Sequence, residues 1–355
     1  MSAPPSPSTG SSTPSMVDFY LPSMQKDHTK LKLQQLRDKI ALRRSGALHT
    51  PHSTIQPGAI GRLGISSADS KLNRQSQVRL KSGSILMRMW RLLPSSCRMS
   101  AYNILRLIGD KLYNPQDADP TAHRLPFNLY CKSSGVTQSE IIAMVLVAEN
   151  TDIPVPRVLD VIENDDELFV LMTRLPGVPC SGLMSEMDQS SREGVKNDLR
   201  CWLAQLRRLP VPPHAKVSDC LGGGSMQHRI ASTPIGPFPS VSDVHEYILS
   251  HVWGPHRDEV LDVARLLSYS KTHRLCFTHG DLRPWNVLYH NGHLSGLVDF
   301  GSAGWFPEYW EHATATFCTS PWWKSMFFEL FPEYEDEIDV EDLVFSVPST
   351  HPEMW

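Results

Sequence analysis

The sequence predicts an α+β body in two lobes, a small β-rich half with one helix followed by a larger, mainly helical half. Three observations predict it. β-prone runs cluster between residues 127 and 174, helical periodicity dominates after the break "LPG" at 175–177, and the dipeptide Asn291-Gly292 interrupts the helical half with a hairpin signal.

In chain order, residues 1–15, "MSAPPSPSTGSSTPS", contain almost nothing to bury and are expected to be disordered. A helix is expected over about 25–45, where Leu33, Leu36 and Ile40 are spaced along one face and Gly46 acts as a stop. Residues 47–82 are again polar and rich in Ser and Gly. Residues 1–84 thus read as a basic, largely disordered arm, 85–178 as the small lobe and its exit, and 179–355 as the large lobe. Charge marks the same division. Residues 1–100 carry 15 Lys+Arg against 4 Asp+Glu, and the rest carry 19 against 34. Such an arm binds an anionic surface, folds back on the acidic body, or is simply solvated.

Within the body, "FNLYCK" (127–132) reads as a strand ending on Lys132. "TQSEIIAMVLVAENT" follows as a helix, with Thr137 as N-cap and Glu140 three residues on, a capping-box pattern. "PRVLDVI" and "LFVLMTRL" read as an antiparallel hairpin around "ENDD", and helical patterning then runs over 188–208, 242–252 and 257–269.

Composition narrows the class. Hydrophobic residues at 41% and charged residues at 20% exclude a disordered or fibrous chain. The seven cysteines are scattered with no C-x-x-C, which fits reduced thiols in a cytoplasmic protein better than a disulfide frame or a zinc site. The longest apolar runs, such as "IIAMVLVA" at 141–148, are too short to span a bilayer, and no apolar stretch follows the start as in a secretory signal. No basic, aromatic-interleaved surface for nucleic acid is evident. Nothing in the sequence sets the oligomeric state.

The chemistry concentrates in "FTHGDLRPWNVLYHNGHLSGLVDFGSAGW" (277–305). Asn291-Gly292 favours a type I′ turn, because both positions tolerate positive φ. A hairpin there brings Asn286, at the start of its first strand, close to Asp299, at the end of its second, with Asp281 just upstream. Phosphoryl transfer needs such a set: one or two hard oxygen ligands for magnesium, and a carboxylate to orient the attacking hydroxyl. Taken singly, each residue also reads as a loop cap, a turn former or a strand-end solubiliser.

"HGDLRPWN…DFG" resembles the catalytic segment of the protein-kinase-like superfamily, in particular the aminoglycoside phosphotransferase and choline-kinase-like family. Gly280 stands where protein kinases carry Arg, as in the small-molecule kinases, and "GWFPEYWE" (304–311) is similar to the continuation in many members. The resemblance covers roughly residues 120–325. It implies a bilobal protein-kinase-like fold and an ATP- and Mg²⁺-dependent transfer to a hydroxyl of a small-molecule acceptor. Asp281 would be the catalytic base, Asn286 and Asp299 the metal ligands, and His279 a holder of the loop. Arg283 either stabilises the transferring phosphoryl group or faces solvent. In the small lobe, Lys132 would bind the α/β-phosphates and Glu140 would pair with it, unless Glu140 only caps its helix. The main chain near Met172, Thr173 and Arg174 would meet adenine.

One part expected from the resemblance is missing. Between residues 84 and 134 the only glycine is Gly109, so no glycine-rich loop precedes Lys132. Either a divergent loop within 104–124 covers the phosphates, or nucleotide is held weakly. That absence motivates the alternative, a pseudokinase acting as a nucleotide- or partner-binding module. A protein kinase is disfavoured by Gly280 and by the lack of A-P-E, and a metal phosphohydrolase by the lack of a further His/Asp cluster. For the acceptor, the acidic run 333–342 together with Trp305, Trp310, Trp322 and Trp323 suits a cation, although a solvated acidic helix and core tryptophans explain the same residues.

Overall fold

A computed structural model describes residues 16–45, 85–113, 121–164, 167–317 and 320–347, the side chains of 16–27 and 164 excepted. The stretches 1–15 and 47–82, and half of the "ENDD" turn, lie outside the described residues. Helix α1 (Met16–Arg44) precedes the small lobe in sequence but packs on the large one. Helices α2 (Ile85–Trp90) and α3 (Ser95–Tyr113) lead into strands β1 (Ala122–Leu125) and β2 (Leu129–Lys132), then α4 (Gln138–Asn150), β3 (Val158–Asn164) and β4 (Glu167–Thr173). The four strands form one antiparallel sheet in the order β1-β2-β4-β3.

Alternation along β4 explains why this sheet is covered on both sides. Phe169 and Leu171 point to a cluster with Tyr102 of α3, while Val170 and Met172 point to the main core with Ile141 and Met144 of α4. The sheet therefore carries α3 and α2 on one face in addition to α4 on the other. Tyr102 stacks on Phe169 with ring centroids 5.3 Å apart, and its hydroxyl donates to Asp160 at 2.8 Å. Gly109 is required where α3 crosses β1, since a Cβ there would lie 2.0 Å from the carbonyl oxygen of Arg124.

A short strand, β5 (Val178–Pro179), leads into the large lobe and pairs with β8 (Val287–His290), which forms a hairpin with β9 (His293–Leu297). Asn291 (φ 49) and Gly292 (φ 89) both adopt positive φ at its turn. Gly177 (φ 98) lets the linker touch this hairpin, because a Cβ would fall 2.5 Å from the Tyr289 carbonyl oxygen. A second small sheet joins β6 (Ser218–Asp219), β10 (Gly304–Pro307) and β7 (Leu275–Thr278). Around these lie α5 (Gln189–Leu206), α6 (Val241–Ser250), α7 (Arg257–Ala264) continued by a π-helical turn to Tyr269, α8 (Trp310–Thr316), α9 (Pro321–Leu330) and α10 (Glu335–Ser346).

Of the readings open for the basic arm, residues 28–45 take the one in which it folds back on the acidic body. Leu33 and Leu36 are buried in the main core, Lys39 pairs with Asp336 and Asp339 at 3.0 and 2.6 Å, and Arg43 pairs with Asp336 at 2.5 Å. The acidic run 333–342 is thus largely engaged by the basic helix and by Lys271, and is not a site for a cationic acceptor. Burial alone would raise the Asp336 carboxyl, but Arg43, Lys39 and Lys271 together hold it well below the usual carboxylate range. Trp305, Trp310 and Trp323 are likewise core side chains.

Replacing Leu33 by Ala should cost about 3 kcal/mol of unfolding free energy in urea denaturation. An unchanged midpoint would mean that α1 does not contribute to the folded body.

Candidate active site

The loop between β7 and β8 is held by backbone chemistry. His279 is fully buried, and burial pushes its pKa below the ordinary imidazole value, so the ring is neutral. Its Nε2 lies 2.9 Å from the Val298 carbonyl oxygen and its Nδ1 3.3 Å from the Asp281 amide, a pattern that assigns the proton to Nε2. Glu311 of α8 grips the same loop from below, accepting the amides of His279 at 2.6 Å and Gly280 at 3.3 Å. Gly280 has φ +76, and a Cβ there would lie 2.2 Å from the Ser302 carbonyl oxygen. No other residue type fits that crossing without displacing backbone. This accounts physically for glycine at the position.

Asp281 and Asn286 form one unit. The Asn286 Nδ2 donates to the Asp281 carbonyl oxygen at 2.8 Å and to its Oδ2 at 2.9 Å, which leaves the Asn286 Oδ1 as the outward acceptor. Arg283 does not face solvent. Its Nε lies 2.7 Å from Asp281 Oδ1, and its guanidinium sits 5.1 Å from the Trp285 ring centre. Asp299 follows β9 at φ 64, a strained backbone for a residue other than glycine, and such strain concentrates at functional sites.

Lys132 closes the set from the small lobe. Its Nζ is 2.9 Å from Glu140 Oε1 and 3.1 Å from Asp299 Oδ1. Burial pulls the ammonium pKa down, but the two carboxylates outweigh it and hold the pKa above the ordinary lysine value, so the group stays charged. The two readings of Glu140 coexist: its amide donates to Thr137 Oγ1 at 3.1 Å while its carboxylate pairs with Lys132. Asn286 Oδ1 and the second oxygen of Asp299 offer the few hard donors that magnesium takes beside nucleotide phosphates.

Lys132, Glu140, Asn286 and Asp299 line a cleft of about 760 Å³ between the lobes, and Asp281 accepts a hydrogen bond from one of them, Asn286. Leu288 and Val298 of the large lobe, with Met172 and Leu175 at the exit of β4, make its apolar walls. Thr173 and Arg174 also line it, but their amides donate to Arg157 and Asn128 at 3.0 and 2.8 Å. Those two N–H groups are therefore committed to the residues just before β3 and β2 and are not free for a base. The divergent loop expected within 104–124 is instead helical up to Tyr113, and 114–120 lie outside the described residues. Over the cleft stand Asp110 and Tyr113 of α3 with His123 and Arg124 of β1, the Arg124 guanidinium 3.9 Å from the Tyr113 ring centre.

Glu311 and Arg124 were not singled out from the sequence. The only sequence signal for Glu311 is one carboxylate in the otherwise uncharged stretch "WEHATAT". For Arg124 there is none.

The profile of the phosphotransferase enzyme family matches residues 135–334, more than half of the chain. The chain belongs to this family. Among curated phosphotransferases, an aminoglycoside 3′-phosphotransferase of Escherichia coli is 24% identical over 193 residues, covering 54% of this chain and 68% of its own. One from Salmonella typhimurium is 23% identical over 195 residues, covering 55% and 69%. Among solved structures of the family, aminoglycoside phosphotransferase APH(4)-Ia is similar at 16% identity and a TM-score of 0.47, over 63% of this chain and 78% of its own. The architecture described above is α+β, with a sheet-built small lobe and a helical large lobe.

Burial pushes the Glu311 carboxyl up to about 7 from 4.5, more than the two amides pull it down. Between those values the folded protein keeps a proton that the unfolded chain has released, so stability falls as pH rises through the window. Glu311→Gln cannot ionise. The stability difference, wild type minus variant, should therefore fall by roughly 3 kcal/mol across that window. Urea midpoints measured at both ends check this, and an unchanged difference would contradict it.

Proposed function

We propose that this protein transfers the γ-phosphoryl group of ATP to a hydroxyl of a small molecule. The observation that carries the reading is that Lys132, Asn286 and Asp299, from three separate segments of the chain, line one cleft, with Asp281 tied to them by the hydrogen bond it accepts from Asn286. Family membership supports the reaction class, and the site geometry supports the roles.

Asp281 orients the acceptor hydroxyl and takes its proton as the oxygen attacks phosphorus. Arg283, beside it, offers positive charge near the transferring group. Lys132, held by Glu140, meets the α/β-phosphates. Asn286 and Asp299 hold magnesium, which when bound neutralises phosphate charge. His279 and Glu311 keep the loop in shape without touching the reacting atoms. Arg124 and His123 supply cationic or hydrogen-bonding groups above the cleft, where a glycine-rich loop would present backbone amides. The hydroxyl acceptor itself is not specified by the shared machinery. The reduced thiols read from the sequence fit a cytoplasmic setting for this reaction, and six described cysteines are free.

A pseudokinase is the reading to separate from this one. Magnesium-ATP should raise the melting temperature, and Asp299→Ala should abolish the shift. Asp281→Asn should keep the shift yet lose ATP turnover against a panel of amines, sugars and amino-alcohols. No turnover by wild type over the panel, with binding intact, would favour the binding module. Turnover surviving Asp281→Asn would overturn the assignment of the base.

A further inference from the structure

Helices α2 and α3 are apolar on two faces. The inner face packs on the sheet through Met87, Trp90, Met99, Tyr102 and Leu105. On the outer side of α3, Ile104, Leu107, Ile108 and Leu112 follow one helical stripe, and on α2 Ile85, Leu86 and Met89 are exposed likewise, as are Leu92 and Leu93 in the turn between. Leu86 is 80% exposed and Leu107 66%. Single exposed leucines are ordinary, but exposed large apolar side chains gathered on two successive helices and the turn between them mark a surface that meets a partner.

Charge indicates what covers this face. Arg88 and Lys111 are exposed on the same helices, while Asp110, the one acid of residues 85–113, lines the cleft near His123. Residues 85–113 carry 5 Lys+Arg against 1 Asp+Glu, and residues 114–355 carry 17 against 33. We propose that the α2–α3 face docks on the surface of an anionic lipid bilayer. Leucine and isoleucine side chains enter the headgroup–acyl boundary while Arg88 and Lys111 meet lipid phosphates. The acidic remainder is repelled by the same surface and orients the chain with this face toward it. A second copy of the chain fits less well, because it would set the Arg88 and Lys111 of both copies on an interface without acids. No helix among the described residues is long and apolar enough to cross a membrane, so the contact is peripheral. The cleft opens beside it, since α3 supplies Asp110 and Tyr113 to the cleft wall.

Flotation of the whole chain with vesicles tests this, using phosphatidylcholine alone and phosphatidylcholine mixed with phosphatidylserine. Binding is expected to the mixed vesicles only, to weaken with added salt, and to fall about tenfold or more in Leu107→Glu/Ile108→Glu. Arg88→Glu/Lys111→Glu leaves every apolar side chain in place and should lose binding to a similar degree. The proposal is overturned by absence of flotation with mixed vesicles, by equal flotation on both vesicle types, or by binding that both variants retain. A concentration-dependent dimer without vesicle binding, dissolved by Leu107→Glu/Ile108→Glu, would also overturn it and assign the face to a second copy.

Discussion

The ammonium group of Lys132 ties the small lobe to the large one. It leaves β2, meets Glu140 on α4, and reaches Asp299 beyond the hairpin of the other lobe. Burying such a charge unpaired would cost several kcal/mol, roughly. The two carboxylates make its position tolerable, and in turn it fixes where α4 and the end of β9 must lie. Removing phosphate chemistry from consideration, the triad would still be a cross-lobe clamp.

The lower half of the site rests on a different device. Polar loops are normally placed at the surface, yet the loop carrying Asp281 runs through a buried region, so its amides need partners inside. Glu311 supplies two of them and the His279 ring a third, at the expense of a carboxyl pushed up to about 7 by burial. Gly280 permits the close crossing over Ser302 that this arrangement requires. The outcome is that Asp281 and Asn286 are placed by backbone contacts that do not depend on solvent-exposed side chains.

Local signals were legible in the sequence and long-range ones were not. The Asn291-Gly292 turn, the Thr137 cap and the alternation along "LFVLMTRL" each depend on neighbours a few residues away, and each formed where expected. The docking of α1 on α10 joins residues some three hundred positions apart, and only the opposite charges of the two segments hinted at it. The helical cover of the small-lobe sheet was missed for another reason. The lack of a glycine loop pointed to a divergent loop, whereas α3 lies close to β1 because Gly109 lets the backbones approach, a packing role that a lone glycine does not advertise. The four tryptophans illustrate the same limit, since nothing in local sequence separates a core ring from a binding platform.

The central claim is that Lys132, clamped by Glu140 and Asp299, makes the cleft a nucleotide site. Calorimetric titration of magnesium-ATP into wild type and Lys132→Met tests it most directly. The account predicts saturable binding to wild type and an affinity lower by about tenfold or more in a variant that still melts cooperatively, the loss of one charge-assisted phosphate contact. Equal affinity in the two proteins, or heat of dilution alone from wild type, would contradict it.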